Sequence, residues 1–116
     1  MKIYDIIIIG GGPAGLTAGI YAGRAMLDTL IIEKAAAGGL MAVTDKLENW
    51  PGHESITGAA LSETMLKQAL NFGCELKSEE VVTIEKPDGM FHVKTSANQY
   101  AARTVIYCGG TVPKQL

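Results

Sequence analysis

The stretch from Ile3 to Glu33 constrains this chain more than any other. Four β-branched residues, Ile6-Ile7-Ile8-Ile9, run straight into Gly10-Gly11-Gly12-Pro13-Ala14-Gly15. An unbroken β-branched run suits a strand buried on both faces, as in a parallel sheet. Pro13 suits the first position of a helix, where the missing N–H costs little. A second apolar run, Leu30-Ile31-Ile32, ends at Glu33. The order strand, glycine turn, helix, strand, carboxylate predicts one β-α-β unit.

The glycines at 10, 12 and 15 have the spacing Gly-x-Gly-x-x-Gly. Gly10 permits the tight turn out of the strand, Gly12 lets a pyrophosphate approach the backbone, and Gly15 lets the helix lie close to the strand. With Pro13 and Ala14 opening the helix, its free N–H groups and partial positive charge suit phosphate oxygens. Glu33, 18 positions past Gly15, is placed to accept hydrogen bonds from ribose hydroxyls. The motif alone is weak; inside a β-α-β unit with an acid at this distance it points to a dinucleotide. It does not separate FAD from NAD, since both carry a pyrophosphate and an adenosine ribose. The bland alternative is a tight turn without a ligand.

The helix carries a second signal. Gly15, Gly19 and Gly23 form one row at helical spacing, with Ala14, Ala18 and Ala22 beside it. Each interior glycine costs a helix about 1 kcal/mol relative to alanine. Close approach to the sheet or to a ligand would offset that cost.

Composition limits the rest. At 116 residues and 47% hydrophobic content the chain fits one globular domain. A net charge of −2 gives no electrostatic case for nucleic acid or an anionic membrane. A phosphate-bearing ligand must then be held by backbone N–H groups and a few side chains. The short apolar start is expected to be neither a signal peptide nor a membrane span. Cys74 and Cys108 are far apart with no Cys-x-x-Cys, which suggests a reducing, cytoplasmic setting and two small buried hydrophobes. His53 and His92 have no metal-ligand spacing and read as structural or exposed. No nucleophile–base pair is evident, so no residue is assigned as catalytic and none to a metal.

After Glu33 the chain reads in order. Residues 34–44 are alanine-rich with Gly38-Gly39, a loop, and 45–52 form a loop ending in a turn. Thr57 is a plausible N-cap for a helix over 58–72 whose stripe is Leu61, Met65 and Ala69, widened by Leu66 and Leu70, with Gly73 as the stop. Residues 75–77 look like a short strand. Alternating segments at 81–86 and 90–95, and an extended start at Tyr100-Ala101, read as an antiparallel meander. Thr104-Val105-Ile106-Tyr107 then reads as a buried strand whose end, Cys108-Gly109-Gly110, points at a ligand crevice.

The residues resemble a known family. Residues 4–18 and 20–25 are similar to the N-terminus of low-molecular-weight thioredoxin reductases. The stronger marker is Asp45-x-x-Glu48-Asn49-Trp50-Pro51-Gly52, followed by Ile56-Thr57-Gly58. The similarity runs to Thr111-Val112-Pro113-Lys114. It implies an α/β fold: a Rossmann-like FAD-binding β-α-β sheet with an antiparallel meander, incomplete relative to the family domain. It implies that residues 1–116 are the first FAD-binding segment, without the family's NADPH domain and returning FAD segment. The glycine turn would hold the pyrophosphate and Glu33, with Lys34 beside it, the adenosine ribose. Gly38, Gly39, Leu40 and Asn49 would line the flavin side, Val81 would lie near adenine, and Cys108 and Gly109 would pass near the pyrophosphate.

In that family NADPH reduces FAD, which passes two electrons to a disulfide and on to a thioredoxin-like protein, usually in a homodimer. The resemblance implies a flavoprotein oxidoreductase of which this chain alone is not catalytically complete. Two features depart from the family. Leu40 stands where glutamine is usual, removing a polar contact to the flavin, and Tyr107-Cys108-Gly109-Gly110 replaces the commoner Ala-Thr-Gly-Ala. The alternatives are a non-enzymatic module for NAD or another adenine nucleotide, and a folded piece that binds nothing tightly.

Overall fold

The computed structural model describes residues 2–35 and 37–109, apart from the side chains of Leu40 and Met41. In chain order the elements are β1 (Ile3–Ile9), α1 (Pro13–Arg24), β2 (Thr29–Glu33), a short 3-10 helix (Gly39–Val43), α2 (Gly58–Asn71), β3 (Glu75–Ser78), β4 (Val81–Glu85), β5 (Phe91–Thr95) and β6 (Gln99–Tyr107). The six strands form one sheet in the order β3-β2-β1-β6-β5-β4. β3, β2, β1 and β6 run parallel, whereas β4, β5 and β6 pair antiparallel. This is the α/β sheet with a meander that the resemblance implied.

The isoleucine run is explained by burial on both faces. Ile6 and Ile8 pack with Leu16 of α1 and Leu61, Met65 and Ala69 of α2. Ile7 and Ile9 point to the other face, with Leu30, Ile32, Val93 and Ala102. A side-chain period of two thus divides four consecutive isoleucines between two cores. Full burial of each such side chain contributes about 1.5–3 kcal/mol.

The second core exists because the sheet curls. β3 and β4 stand at opposite ends of the strand order, yet only Glu79 and Glu80 join them. Such a connection spans at most about 11 Å from Ser78 to Val81. The meander must therefore fold back over β1 and β2, which brings Val93 onto Ile7 and Ile9. The Glu79 N–H donates to the Glu33 carbonyl at 3.1 Å, and the Ser96 N–H donates to the Glu80 carbonyl at 3.0 Å.

The glycine row of α1 is buried throughout, at Gly15, Gly19 and Gly23. A Cβ at Gly19 would lie 2.8 Å from Ile31 Cδ1, and one at Gly23 would lie 2.7 Å from Phe72 Cβ. These two positions therefore answer to the sheet and to the end of α2, respectively. Thr57 caps α2 by accepting the Ala60 N–H at 3.1 Å, and Gly73 at φ +96° stops it.

Several sequence expectations need correction. Residues 39–43 within the 34–44 loop form a 3-10 helix. The short strand read at 75–77 runs to Ser78 and extends the parallel sheet beside β2. The extended start at Tyr100 and the run 104–107 are one strand, β6. Its second half is not buried, since Ile106 is 38% and Tyr107 74% exposed. The cause is pairing: β5 pairs with β6 only over 99–102, so 103–107 have β1 on one side and no described strand on the other. Leu70 is likewise exposed, and Cys108 is half-buried, unlike buried Cys74. Gly110 and residues 111–116 lie outside the described residues. Among the described residues no helix is long and apolar enough to cross a membrane.

Candidate functional site

The parallel strands end together, and the site is built on their C-terminal edge. β1 hands over to Gly10, whose N–H donates to the Ile32 carbonyl at 2.8 Å. Gly10 has φ +113°, and a Cβ there would run into the Cys108 carbonyl. A Cβ at Gly15 would run into the Gly10 carbonyl. Both positions are therefore held to glycine by the protein's own backbone.

Gly12 is different. Its φ of −77° and ψ of −170° are ordinary extended backbone. A Cβ there would come no nearer than 3.8 Å to the Gly38 carbonyl oxygen and 3.9 Å to Gly39 Cα. Neither backbone conformation nor packing demands glycine. Gly12 is also the N-cap of α1, and no side chain caps that helix. The ladder begins with the Leu16 N–H donating to the Gly12 carbonyl at 2.9 Å, so the Ala14 and Gly15 N–H groups come before it. A glycine that the fold does not require, beside uncapped donors, suits the approach of an anion to the backbone.

Glu33 closes the other side of the turn. Its Oε1 accepts the Gly11 N–H at 2.7 Å and its Oε2 accepts the Ala35 N–H at 2.8 Å. The Gly11 carbonyl in turn accepts the Gly38 N–H at 2.5 Å, and Gly39 at φ +59° packs on Gly12. The two glycine pairs thus form one contact, with the 3-10 helix rising from it.

Beside this turn lies a cleft of about 180 Å³. Its apolar floor is Ile9 and Ile32; Gly10, Glu33 and Lys34 line it from the ends of β1 and β2. Glu79, Glu80 and Val81 enter from the β3–β4 connection, and Tyr107 and Gly109 from the end of β6. Glu79 is already engaged, accepting from the hydroxyls of Thr95 at 2.6 Å and Tyr100 at 3.0 Å. The Thr95 contact first, with Tyr100 and Asn98 adding, holds its carboxyl below the ordinary carboxylate value.

Of the residues singled out in the sequence, Gly10, Glu33, Lys34, Val81 and Gly109 share the cleft. Gly12, Pro13, Ala14 and Gly15 form the adjoining helix start, with Gly38 and Gly39 against it. Cys108 sits at the same strand edge, its N–H donating to the Ile9 carbonyl at 2.6 Å. Asn49 is exposed and lines a separate depression with Trp50 and His53. Leu40 belongs to the 3-10 helix, but its side chain lies outside the described residues. Sequence reasoning did not assign Gly11, Glu79, Glu80 or Tyr107 to the site. Only the adjacent Glu79-Glu80 pair, between two short strands, offered a signal.

These residues fit the adenosine diphosphate part of a dinucleotide. The uncapped helix start at Gly12 suits the pyrophosphate, and the Glu33 carboxylate in the cleft suits a ribose diol.

Comparison with known proteins gives a consistent result. The family model described as pyridine nucleotide-disulphide oxidoreductase matches residues 4–116. Thioredoxin reductases of Treponema pallidum and Bacillus subtilis are 46% and 44% identical, over 97% and 99% of this chain. The chain spans only 37% and 36% of their respective lengths. Solved thioredoxin reductases of Streptococcus pyogenes and T. acidophilum superpose with TM-scores of 0.94 and 0.93, at 39% and 36% identity. They cover 98% and 100% of this chain, which spans 37% and 38% of theirs.

Proposed function

Since the chain belongs to the pyridine nucleotide-disulphide oxidoreductase family, we propose that it is the first FAD-holding segment of a thioredoxin-reductase-like flavoprotein. On this reading a nicotinamide domain and a second FAD segment lie outside these 116 residues. The whole protein is then an NADPH-dependent disulfide reductase acting on a thioredoxin-like partner, as a homodimer. Two free cysteines suit a reducing, cytoplasmic setting.

Bound FAD supplies two-electron redox chemistry. What this chain contributes is binding and orientation. The Ala14 and Gly15 N–H groups and the positive end of α1 would hold the pyrophosphate over Gly12. Glu33 would accept from the ribose hydroxyls while its contact with Gly11 keeps the turn in place. Ile9, Ile32 and Val81 offer apolar surface to the base. Gly38 and Gly39 bring the 3-10 helix close to the same turn, toward the flavin side.

The observation that carries this reading is that Gly12, at an uncapped helix start, has ordinary dihedral angles and that an added Cβ would meet Gly38 and Gly39 no closer than 3.8 Å, so the fold itself does not demand a glycine there. Titration of the purified chain with FAD, followed by flavin fluorescence and thermal unfolding, tests it. Saturable FAD binding with a raised Tm is expected. A Tm raised by NAD and unmoved by FAD would favour a nicotinamide-nucleotide module instead. No response to either dinucleotide would leave only a folded piece without its own ligand.

A further inference from the structure

The cleft contains an aromatic residue that the proposed function leaves unused. Among the described residues that line it, Tyr107 is the only aromatic one. It ends β6 and is 74% exposed, although it borders an apolar floor. The other two tyrosines near the sheet have engaged hydroxyls, Tyr4 on Glu75 and Tyr100 on Glu79. No described residue bonds the Tyr107 hydroxyl. Its ring covers Gly109 so closely that a Cβ there would run into it, with ring atom Cε2 at 2.7 Å. A bare backbone at 109 therefore lets the ring lie over the turn at the mouth of the cleft.

The charges around it indicate what kind of group belongs there. Among the described residues, Glu33, Glu79 and Glu80 line the cleft with Lys34 as the single cation. Three carboxylates against one ammonium disfavour a phosphate at this end. A neutral, planar, apolar-faced group fits, with exocyclic N–H groups that carboxylates can accept from.

We propose that the Tyr107 ring is the stacking face for the adenine of the bound dinucleotide. This rests on the proposed function, since it takes the pyrophosphate to lie at Gly12 and the ribose at Glu33. An aromatic face gains from stacking on a base, and the gain is tolerant of ring substituents. The ring then determines affinity for the adenosine end and contributes nothing to phosphate binding.

The test compares the chain with its Tyr107→Ala and Tyr107→Phe variants, using ADP and inorganic pyrophosphate as probes. Calorimetry reads ADP affinity and phosphorus NMR reads pyrophosphate. Tyr107→Ala is expected to weaken ADP about tenfold, the lower part of the stacking range, and to leave pyrophosphate unchanged. Tyr107→Phe is expected to bind ADP within about twofold of the parent chain, because the face is kept. The high exposure of the side chain makes misfolding of either variant a small risk, and Tyr107→Phe controls for it. Equal ADP affinity in all three proteins would overturn the stacking role and leave the dinucleotide reading intact. An equal loss of ADP and pyrophosphate binding in Tyr107→Ala would overturn it too, since the ring would then support the turn. A parent chain that binds neither ADP nor FAD would overturn the dinucleotide reading and the inference with it.

Discussion

The Glu33 carboxylate accepts the Gly11 N–H at 2.7 Å, joining the end of β2 to the first turn after β1. One side chain therefore fixes the glycine turn and presents a carboxylate to the adjoining cleft. Its second oxygen holds the Ala35 N–H at 2.8 Å, so each oxygen already accepts one backbone donor. Ribose hydroxyls would share these acceptors, each oxygen having a second lone pair.

Glu33→Ala is expected to act on stability and binding together. It strips two backbone donors of a charged acceptor, a loss of about 1–3 kcal/mol. Urea unfolding should show that drop, and FAD titration should show weaker binding. Unchanged urea midpoints would mean that water replaces the carboxylate at no cost.

The glycine row of α1 makes a graded prediction. Gly19→Ala presses on Ile31 Cδ1, the free end of a side chain that can rotate. Gly23→Ala presses on Phe72 Cβ and, at 3.0 Å, on the Phe72 carbonyl oxygen, which cannot move without the end of α2. Alanine returns about 1 kcal/mol of helix propensity in both cases. Overpacking costs about 1–3 kcal/mol, so Gly19→Ala should be near neutral and Gly23→Ala clearly destabilising. Thermal unfolding of the two variants checks the order, and the reverse order would contradict this packing.

Acid should weaken the fold through Glu75 and Glu79. The Tyr4 hydroxyl first, and the Lys2 ammonium next, hold the Glu75 carboxyl below its ordinary value of 4.5. Glu79 is held down by the Thr95 hydroxyl foremost. A depressed carboxylate contributes stability that is present above the unfolded pKa and is lost as pH falls through the folded one. Stability should therefore decline below about pH 4.5. Burial first, and Glu75 next, push the Tyr4 phenol up, so a second decline should begin above about pH 10, where an unfolded tyrosine ionises. Tyr4→Phe should flatten both limbs in urea midpoints taken across pH. Curves parallel to the parent chain's would assign the dependence to other groups.

The β-α-β unit was legible because its signals are local. Four isoleucines, a glycine turn and a proline at the helix start are read within a few residues of one another, and two-sided burial follows from them. The curl of the sheet was not legible, because it depends on β3 and β4 being joined by only two residues while standing at opposite ends of the strand order. The exposure of Ile106 and Tyr107 was hidden for a related reason: a β-branched run reports a preference for burial, and β5 ends too soon to supply it. Within the site, Glu33 and the glycines were readable from spacing. Glu79, Glu80 and Tyr107 reach the cleft through tertiary folding, which spacing does not record. The tight packing of Gly19 and Gly23 likewise needed the positions of Ile31 and Phe72.

FAD titration of Gly12→Ala, with urea unfolding of the same protein, tests the central claim most directly. Gly12 has ordinary dihedral angles, and among the described residues beyond its chain neighbours an added Cβ would meet nothing closer than 3.8 Å. Gly10, at φ +113° and against the Cys108 carbonyl, provides the contrast, and Gly10→Ala should unfold readily. The account predicts that Gly12→Ala keeps its stability to within about 1 kcal/mol and loses FAD affinity by about tenfold or more. A Gly12→Ala protein that is as stable as the parent chain and binds FAD as tightly would contradict it.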